Sequence, residues 1–192
     1  MTSHHHQHSR FISSTSLLLL LTTLLLTTVT ALIPQSPNQQ TRRAIASIRD
    51  AITSAKTTQT NKPARLYLDY LIPLPPATKA EDIDPWPGGL AQMYPYAEDI
   101  VAEILKGVVE DPVDGKCSSQ VLSAPDCCGL FIQESNVGGK EDVAAILFPG
   151  PDQLDTIEEV NAMVGESRTL IIVNRQFQRP ADFGLNPMRQ TK

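Results

Sequence analysis

The segment that decides the fold is residues 143–173, VAAILFPGPDQLDTIEEVNAMVGESRTLIIV. Two apolar runs, Val143–Phe148 and Thr169–Val173, enclose a stretch with apolar residues every three or four positions, the spacing of one face of an α-helix. Neither run alternates apolar with polar residues, so both faces of each strand need cover, as in parallel strands joined by a crossover helix. The segment therefore predicts two parallel strands and a connecting helix that begins at Asp152, its N-cap, and is closed by Gly165.

Signals before this segment extend the pattern to an α/β domain. Leu66–Ile72 and Gly129–Gln133 are rich in strand-forming residues and predict two more strands, whereas turn signals in Glu110–Ser123 predict a loop. Apolar residues within 90–108 recur at helical spacing, and Pro95 either starts that helix or kinks it. The predicted fold is α/β, with a mostly parallel sheet flanked by helices in a Rossmann-like three-layer arrangement.

Charge divides the chain into two parts. Residues 1–60 hold five basic residues and one acidic residue, a net charge of +4, whereas residues 61–192 hold 11 basic and 20 acidic residues, a net charge of −9. A nucleic-acid-binding domain needs a basic face to neutralise phosphates, so the acidic part argues against nucleic acid as a partner. All four histidines lie within the first eight residues, so a domain that has lost its N-terminus has neither histidine catalysis nor a histidine-ligated metal.

The cysteines do not form a metal-binding pattern. Cys117, Cys127 and Cys128 are too few for a four-cysteine zinc site, and no histidine in the body of the chain completes one. Adjacent Cys127 and Cys128 would form a strained vicinal bridge, so the expected role of the cysteines is that of small buried apolar side chains. We therefore expect no metal and no cofactor.

The N-terminus has the pattern of a targeting leader. Leu17–Ile33 is an uncharged apolar stretch of 17 residues, and the small residues Val29 and Ala31 suit cleavage after Ala31, which predicts a signal peptide over 1–31. An uncleaved membrane anchor is the alternative, because a helix that crosses about 30 Å of hydrocarbon needs at least this length. Residues 32–62 are rich in Gln, Thr, Ser and Ala, with one acidic residue, the composition of an organelle transit peptide.

These segments together resemble the two-part leader of algae with secondary plastids, which predicts delivery to the plastid stroma. Membrane anchoring and secretion are the alternatives. Apolar residues within 42–56 also fall at helical spacing, so this segment is either leader or the first helix of the domain. The predicted division is a signal peptide over 1–31, a transit-peptide-like segment over 32–62 and an α/β domain over 63–192.

Two blocks of the body are distinctive in sequence. The first consists of LIPLPP at 71–76, DPWPGG at 84–89, Gln92 and Tyr94. The second consists of Phe148-Pro149, LIIVNRQF at 170–177 and ADFG at 181–184. Together, over residues 65–185, they resemble a plastid and cyanobacterial domain of unknown function. That domain occurs in Low PSII Accumulation proteins and as an extension of a plastid adenylate kinase.

The chain departs from this family in two ways. Arg175 and Phe177 replace the usual Pro and Trp, and the sequence ends 8 residues after Gly184, where family members continue. The resemblance is therefore to the N-terminal portion of the domain, as expected either of a truncated gene model or of a divergent short member. If the sequence is truncated, the sheet is incomplete at its C-terminal end. The resemblance implies a plastid location, a role in photosystem assembly and protein partners such as thylakoid membrane proteins, and it assigns no catalytic residue.

The residues of the two blocks follow the ends of predicted strands. Because the carboxyl ends of parallel strands meet at one edge, where open α/β folds bind ligands, these residues predict a shared crevice. Its expected lining is Trp86, Gly88, Gly89, Gln92, Asn174 and Gln176. The Trp would give an apolar or stacking wall, the glycines close backbone approach and the amide side chains polar recognition. Backbone amides at the Gly-Gly pair and at the helix after the middle strand would attract an anion.

A structural role is the stronger alternative for these residues. Pro-rich and Gly-Gly turns commonly end strands, a lone Trp commonly anchors a core, and Asn174 or Gln176 can satisfy loop backbone. The sequence contains neither G-x-G-x-x-G nor G-x-x-x-x-G-K-[ST]. Asp69 and Asp84 are the carboxylates considered for catalysis, but a sheet-edge or turn role fits each better, so no catalytic residue is expected.

The function expected from the sequence is that of a stromal factor in photosystem biogenesis. Such a factor would act through protein contacts, with thylakoid membrane proteins among its partners, and without nucleic acid, metal or catalysis. The alternative is an α/β domain, with or without enzymatic activity, that binds a small molecule or nucleotide in the crevice.

Overall fold

Three helices and five strands make up the described part of the chain. The structure, a computed structural model, describes residues 36–57, 63–74, 84, 86–114, 117–165 and 168–177. The elements are α1 (Pro37–Thr57), β1 (Arg65–Leu68), α2 (Gly89–Val108), β2 (Ser118–Ser123), β3 (Cys128–Gln133), β4 (Val143–Leu147), α3 (Leu154–Val164) and β5 (Thr169–Val173), with a 3-10 turn at Pro151–Gln153 before α3. The predicted signal peptide over 1–31 and the ADFG motif lie outside the described residues. No helix within the described ranges is both long and apolar enough to span a bilayer.

The five strands form one mixed sheet in the order β1-β5-β4-β3-β2. Strand β5 pairs in parallel with both β1 and β4, whereas β3 is antiparallel to β4 and to β2. The α/β class is therefore confirmed, and the predicted crossover is present as β4, α3 and β5. The sheet is parallel on one side only, because β2, β3 and β4 are joined by short turns that reverse the chain instead of by helices.

Strands β4 and β5 are buried on both faces. Along β4, Val143, Ala145 and Leu147 belong to the hydrophobic cluster that also holds residues of α1 and α2. Ala144 and Ile146 belong to a second cluster, which holds Val160 and Val164 of α3. Every residue of both strands is less than 10% exposed, and each large apolar side chain contributes about 1.5–3 kcal/mol on burial. Helices on the two faces thus supply the cover that the two apolar runs require.

Strand β2 was not predicted, since Glu110–Ser123 carries turn signals. Its sequence, SSQVLS, is mostly polar and largely exposed, as an edge strand tolerates. Pairing with β3 holds it in place, and the turn of residues 124–127 joins the two strands. The loop prediction was therefore wrong for residues 118–123, because the pairing partner and not the local sequence determines this strand.

Helix α2 runs from Gly89 through Pro95 to Val108 without interruption. The alternative in which the helix begins at Pro95 is therefore wrong. A proline lacks the N–H that would bond to the carbonyl four residues earlier, which here belongs to Ala91. Because Pro95 is exposed, solvent can satisfy that carbonyl, and the opposite face of the helix stays packed on the sheet.

The segment left open between leader and domain is part of helix α1. Its Ala44 and Ile48 are buried in the cluster shared with α2 and the sheet. A side-chain carbon at Gly107 of α2 would overlap Ile45 Cδ1, so the absence of a side chain at Gly107 allows the two helices to approach closely. The sequence pattern of α1 is thus that of an amphipathic helix packed on a core.

We predict that the effect of Gly107→Ala depends on Ile45. In a helix interior this substitution ordinarily stabilises by about 1 kcal/mol, but here the new methyl group meets the end of the Ile45 side chain. In the Ile45→Ala background, which lacks all three Ile45 atoms near the new methyl group, the gain should be recovered, so urea unfolding should give a coupling of about 1 kcal/mol between the two substitutions. Equal stabilisation in both backgrounds would show that the helices are not in this contact.

Candidate functional site

A cleft of about 490 Å³ lies at the carboxyl edge of the parallel strands. Gly88, Leu90 and Ala91 at the start of α2 line one part of it, and Phe148 and Gly150, which follow β4, line another. The remaining lining comes from the β2–β3 turn, the turn before α3, and Gln176 after β5. Of the six residues expected to form the crevice, Gly88 and Gln176 therefore line this cleft.

Three non-glycine residues with left-handed backbone lie around this edge. Phe148 follows β4 with φ 52°, Asn174 follows β5 with φ 50°, and Cys127 precedes β3 with φ 54°. Such a conformation costs an L-residue about 1–2 kcal/mol. At Phe148 the turn places two consecutive side chains, Leu147 and Phe148, in the same cluster under α2, and burial of the Phe ring offsets the cost.

Asn174 joins the ends of β1 and β5. Its Nδ2 donates to the Tyr70 carbonyl at 2.8 Å, and its Oδ1 accepts from the Tyr70 N–H at 2.6 Å. Beyond the end of β5 the chain turns away from β1. The Asn174 side chain therefore supplies the hydrogen bonds to the Tyr70 backbone that a paired strand would otherwise make. This explains why β1 ends at Leu68 although the sequence predicted a strand to Ile72. Both polar atoms of the amide are engaged in the fold.

Gln176 and Gln92 are also hydrogen-bonded within the protein. Gln176 Nε2 donates to the Asn174 carbonyl at 2.7 Å, and its backbone N–H donates to the Pro149 carbonyl at 2.8 Å. Gln92 Oε1 accepts from the Gly88 N–H at 2.9 Å and so caps the first turn of α2. Gln176 therefore ties together the chain segments that follow β4 and β5.

The Trp-Pro-Gly-Gly segment forms the start of α2. The Gly89 N–H donates to the Trp86 carbonyl at 2.8 Å, and the Trp86 ring meets the Tyr96 ring edge-on at 5.5 Å. Gly89 adopts φ 59°, a conformation that favours glycine. Because the amides of Gly88 and Gly89 already have acceptors within the protein, they offer less to an anion than the sequence suggested.

The turn before α3 is capped by Gln153. Gln153 Oε1 accepts from the Gly150 N–H at 2.8 Å, and its Nε2 donates to Asp126 Oδ2 at 2.7 Å. Asp152 makes no side-chain capping bond, so the prediction of Asp152 as N-cap was wrong. Gln153 instead fastens this turn to the β2–β3 turn across the floor of the cleft.

The side chains around the cleft give it an acidic character. Its lining within the described ranges includes the carboxylates Asp126 and Asp152 and no lysine or arginine. Asp126 also accepts a hydrogen bond from Ser123 Oγ at 2.6 Å, which keeps this carboxylate in place. Two carboxylates disfavour a phosphate group, while apolar walls at Leu90 and Phe148 suit an uncharged or cationic organic molecule.

Asp126 and Gln153 were not predicted as site residues. Both depend on the β2–β3 hairpin, which the turn signals of the preceding segment concealed. The tetrapeptide Ala124–Cys127, which contains Pro125, was the available indication of a tight turn between strands. Asp84, considered for catalysis, accepts from the Trp86 N–H at 2.9 Å, the turn role preferred for it.

The cysteines are free thiols in different surroundings. Burial, with a smaller contribution from Asp126, raises the pKa of Cys128 to about 11. Burial likewise raises the pKa of Cys117 to about 11. A protonated thiol is a poor nucleophile, so neither group is activated. Cys128 is a buried core side chain, and Cys117 is partly buried against the main hydrophobic cluster. Cys127, which like Cys117 is partly exposed, lines the cleft.

A smaller cavity of about 250 Å³ lies at the opposite edge of the sheet, where β4 and β5 begin. Its charged lining combines Arg49, Lys56 and Lys140 with Glu110 and Glu141. The Lys56–Glu141 ion pair crosses from α1 to the loop before β4. The acids largely offset the basic groups, so this cavity has no clear preference for a charged ligand.

Comparisons with known proteins supply no relative. Searches of protein-family models, curated proteins and solved structures find no match to this chain. Within the part of the chain that the structure describes, no three His, Cys, Asp or Glu residues are grouped to hold a metal.

We predict that Asn174 is needed mainly for stability. Asn174→Ala leaves the N–H and carbonyl of Tyr70 without their partner and removes a residue that tolerates left-handed backbone, so unfolding should become easier by about 2–4 kcal/mol. Asn174→Gly keeps the backbone conformation and should cost about 1 kcal/mol less than the alanine variant. Urea unfolding measures both, with Gln176→Ala as the control; equal costs for all three variants would contradict the assigned role.

Proposed function

We propose that this protein is a non-catalytic factor that works through protein contacts. The observation that carries the proposal is the apolar exposure of the chain after β1. Leu71 is 78% exposed and Leu74 is 48% exposed, and Tyr67 on the edge strand is 63% exposed. These three exposed residues lie within eight positions of one another in the sequence, and a patch of exposed apolar side chains is typical of a protein-binding surface. We call Tyr67, Leu71 and Leu74 the β1 apolar surface.

The proposed partners are thylakoid membrane proteins in the plastid. Support for them comes from the resemblance of the two sequence blocks to the plastid and cyanobacterial domain, and from the signal-like composition of residues 1–31. The LIPLPP block contains Leu71 and Leu74, so the apolar exposure falls within one of the distinctive blocks. The proposed setting is photosystem biogenesis in the stroma.

The proposal includes a finer description of the fold. Helices α1 and α2 pack with one face of the sheet and α3 with the other, which supports a Rossmann-like three-layer domain. Strand β1 lies at one edge of the described sheet.

We predict that loss of the β1 apolar surface reduces partner binding. The double variant Leu71→Ser, Leu74→Ser should recover about tenfold less thylakoid membrane protein than the wild type from algal cells, as expected for central apolar contacts. Quantitative mass spectrometry of the affinity-purified chain measures this recovery. The matched control is Val137→Ser, Met163→Ser, which removes two other apolar residues that are 67% and 58% exposed.

The comparison of the two double variants distinguishes binding through the β1 apolar surface from nonspecific binding by exposed apolar side chains. The control double variant should retain the same thylakoid proteins as the wild type. Equal recovery by both double variants, or no enrichment of any thylakoid protein by the wild type, would contradict the proposal.

A second candidate function is the binding of a small organic molecule in the carboxyl-edge cleft. The cleft volume, about 490 Å³, lies in the range of ligand sites, and the position after parallel strands is the usual one in open α/β folds. The pair Asp126 and Asp152 favours a cationic ligand with an apolar body over a nucleotide.

We predict that tyramine, an aromatic ring with an ammonium group, raises the melting temperature by about 2–4 °C at saturating concentration. Ala91→Phe, which fills the cleft, should abolish the shift. Glu103→Phe, at an exposed position of the same helix, should leave it unchanged. A larger shift with AMP than with tyramine would exclude the cationic class, and no shift with either would exclude this candidate function.

A further inference from the structure

Helix α1 overlaps the segment whose composition suggests a removable transit peptide. The transit-like region is 32–62, and α1 occupies Pro37–Thr57, most of its length. A peptidase that cut near residue 62 would remove the whole helix. The contacts of α1 therefore decide where a leader can end.

The inner face of α1 is part of the main core. Thr41, Ala44 and Ile48 are 4%, 9% and 5% exposed. The Thr41 hydroxyl is hydrogen-bonded to the Tyr70 hydroxyl at 2.8 Å in a buried position. Ile45 occupies the space that the missing side chain at Gly107 leaves on α2. Removal of the helix would expose this face of α2 and the apolar residues beneath it.

Both ends of α1 are also attached to the rest of the domain. Near its start, Gln40 Nε2 donates to the Leu71 carbonyl at 3.2 Å. Further along, Arg49 Nε donates to the Val108 carbonyl at 3.4 Å, at the C-terminal end of α2 where a cation is favourable. Lys56 in the last turn pairs with Glu141. These contacts reach three separate segments of the domain.

The basic composition of this region has a structural explanation. The helix carries four basic residues and one acidic residue, and Arg42, Arg49 and Lys56 among them are exposed. The body from residue 61 onward has a net charge of −9, so a basic helix is complementary to it. An amphipathic helix with a basic outer face shares its composition with a transit peptide although it belongs to the folded domain.

We propose that α1 is retained in the mature protein, and that any leader cleavage falls before Pro37. Retention restricts a removable leader to residues 1–36. The inference is independent of the compartment, and a chain that is not cleaved at all also keeps α1. A plastid destination then depends on signals that do not require removal of residues 37–57.

The first test is the N-terminus of the protein that accumulates in cells. The full-length gene with a C-terminal tag is expressed in an alga with a secondary plastid, and the purified product is digested with trypsin. Peptides Ala44–Arg49 and Asp50–Lys56 should be recovered at the same molar amount as peptides from the body of the chain. A product whose N-terminus lies anywhere after Pro37 would overturn the proposal. One that begins between residues 57 and 63, with both peptides absent, would show that the whole helix is removed.

The second test uses the stability of the same processed protein. Ile48→Asn, in the core-facing position, should lower its melting temperature or prevent its accumulation, whereas Ser47→Asn at the neighbouring exposed position should have no effect. If α1 were discarded, both variants would accumulate and melt like the wild type. Neither readout depends on which partners the protein binds. Failure of this proposal can therefore be distinguished from failure of the proposed function.

Discussion

Strands β4 and β5 are buried on both faces, and the remaining architecture follows from this constraint. A strand with apolar residues on each face exposes one of them to water unless helices cover both. Helix α3 connects the two strands and covers one face, while α1 and α2 cover the other. All three helices are amphipathic because each turns one apolar face toward the apolar side chains of the sheet.

The same parallel strands create the carboxyl edge, where the chain must leave the sheet three times. At two of these points the chain turns at a residue with left-handed backbone, Phe148 or Asn174. At the second, the Asn174 side chain bonds the Tyr70 backbone where backbone pairing between the strands has ended. Polar groups that suggested ligand recognition are largely used to hold these turns, as are the Gly88 and Gly89 amides. The cleft that remains is bordered by Asp126 and Asp152, whose charges determine what it can accept.

The crossover formed by β4, α3 and β5 could be predicted because the spacing of apolar residues within 143–173 indicates which side chains are buried. Strand β2 was not, since its polar residues are held by pairing with β3 and carry no apolar pattern of their own. The role of Asn174 could not be derived either, because its partner Tyr70 lies 104 residues away in the sequence. For α1 the helical spacing was visible, but composition alone does not distinguish a packed basic helix from a transit peptide. Contacts between distant segments, which the sequence does not contain, determine the pairing of β2 and the role of Asn174.

Native-state hydrogen exchange tests most directly whether helical cover on both faces is a condition of the fold. If β4 and β5 need both layers, the core-side amides of α1, near Ala44 and Ile48, should exchange with the same free energy and denaturant dependence as those of β4. That common value would be the free energy of global unfolding. Exchange of the α1 amides at a free energy lower by more than about 2 kcal/mol, while β4 remains protected, would contradict the account.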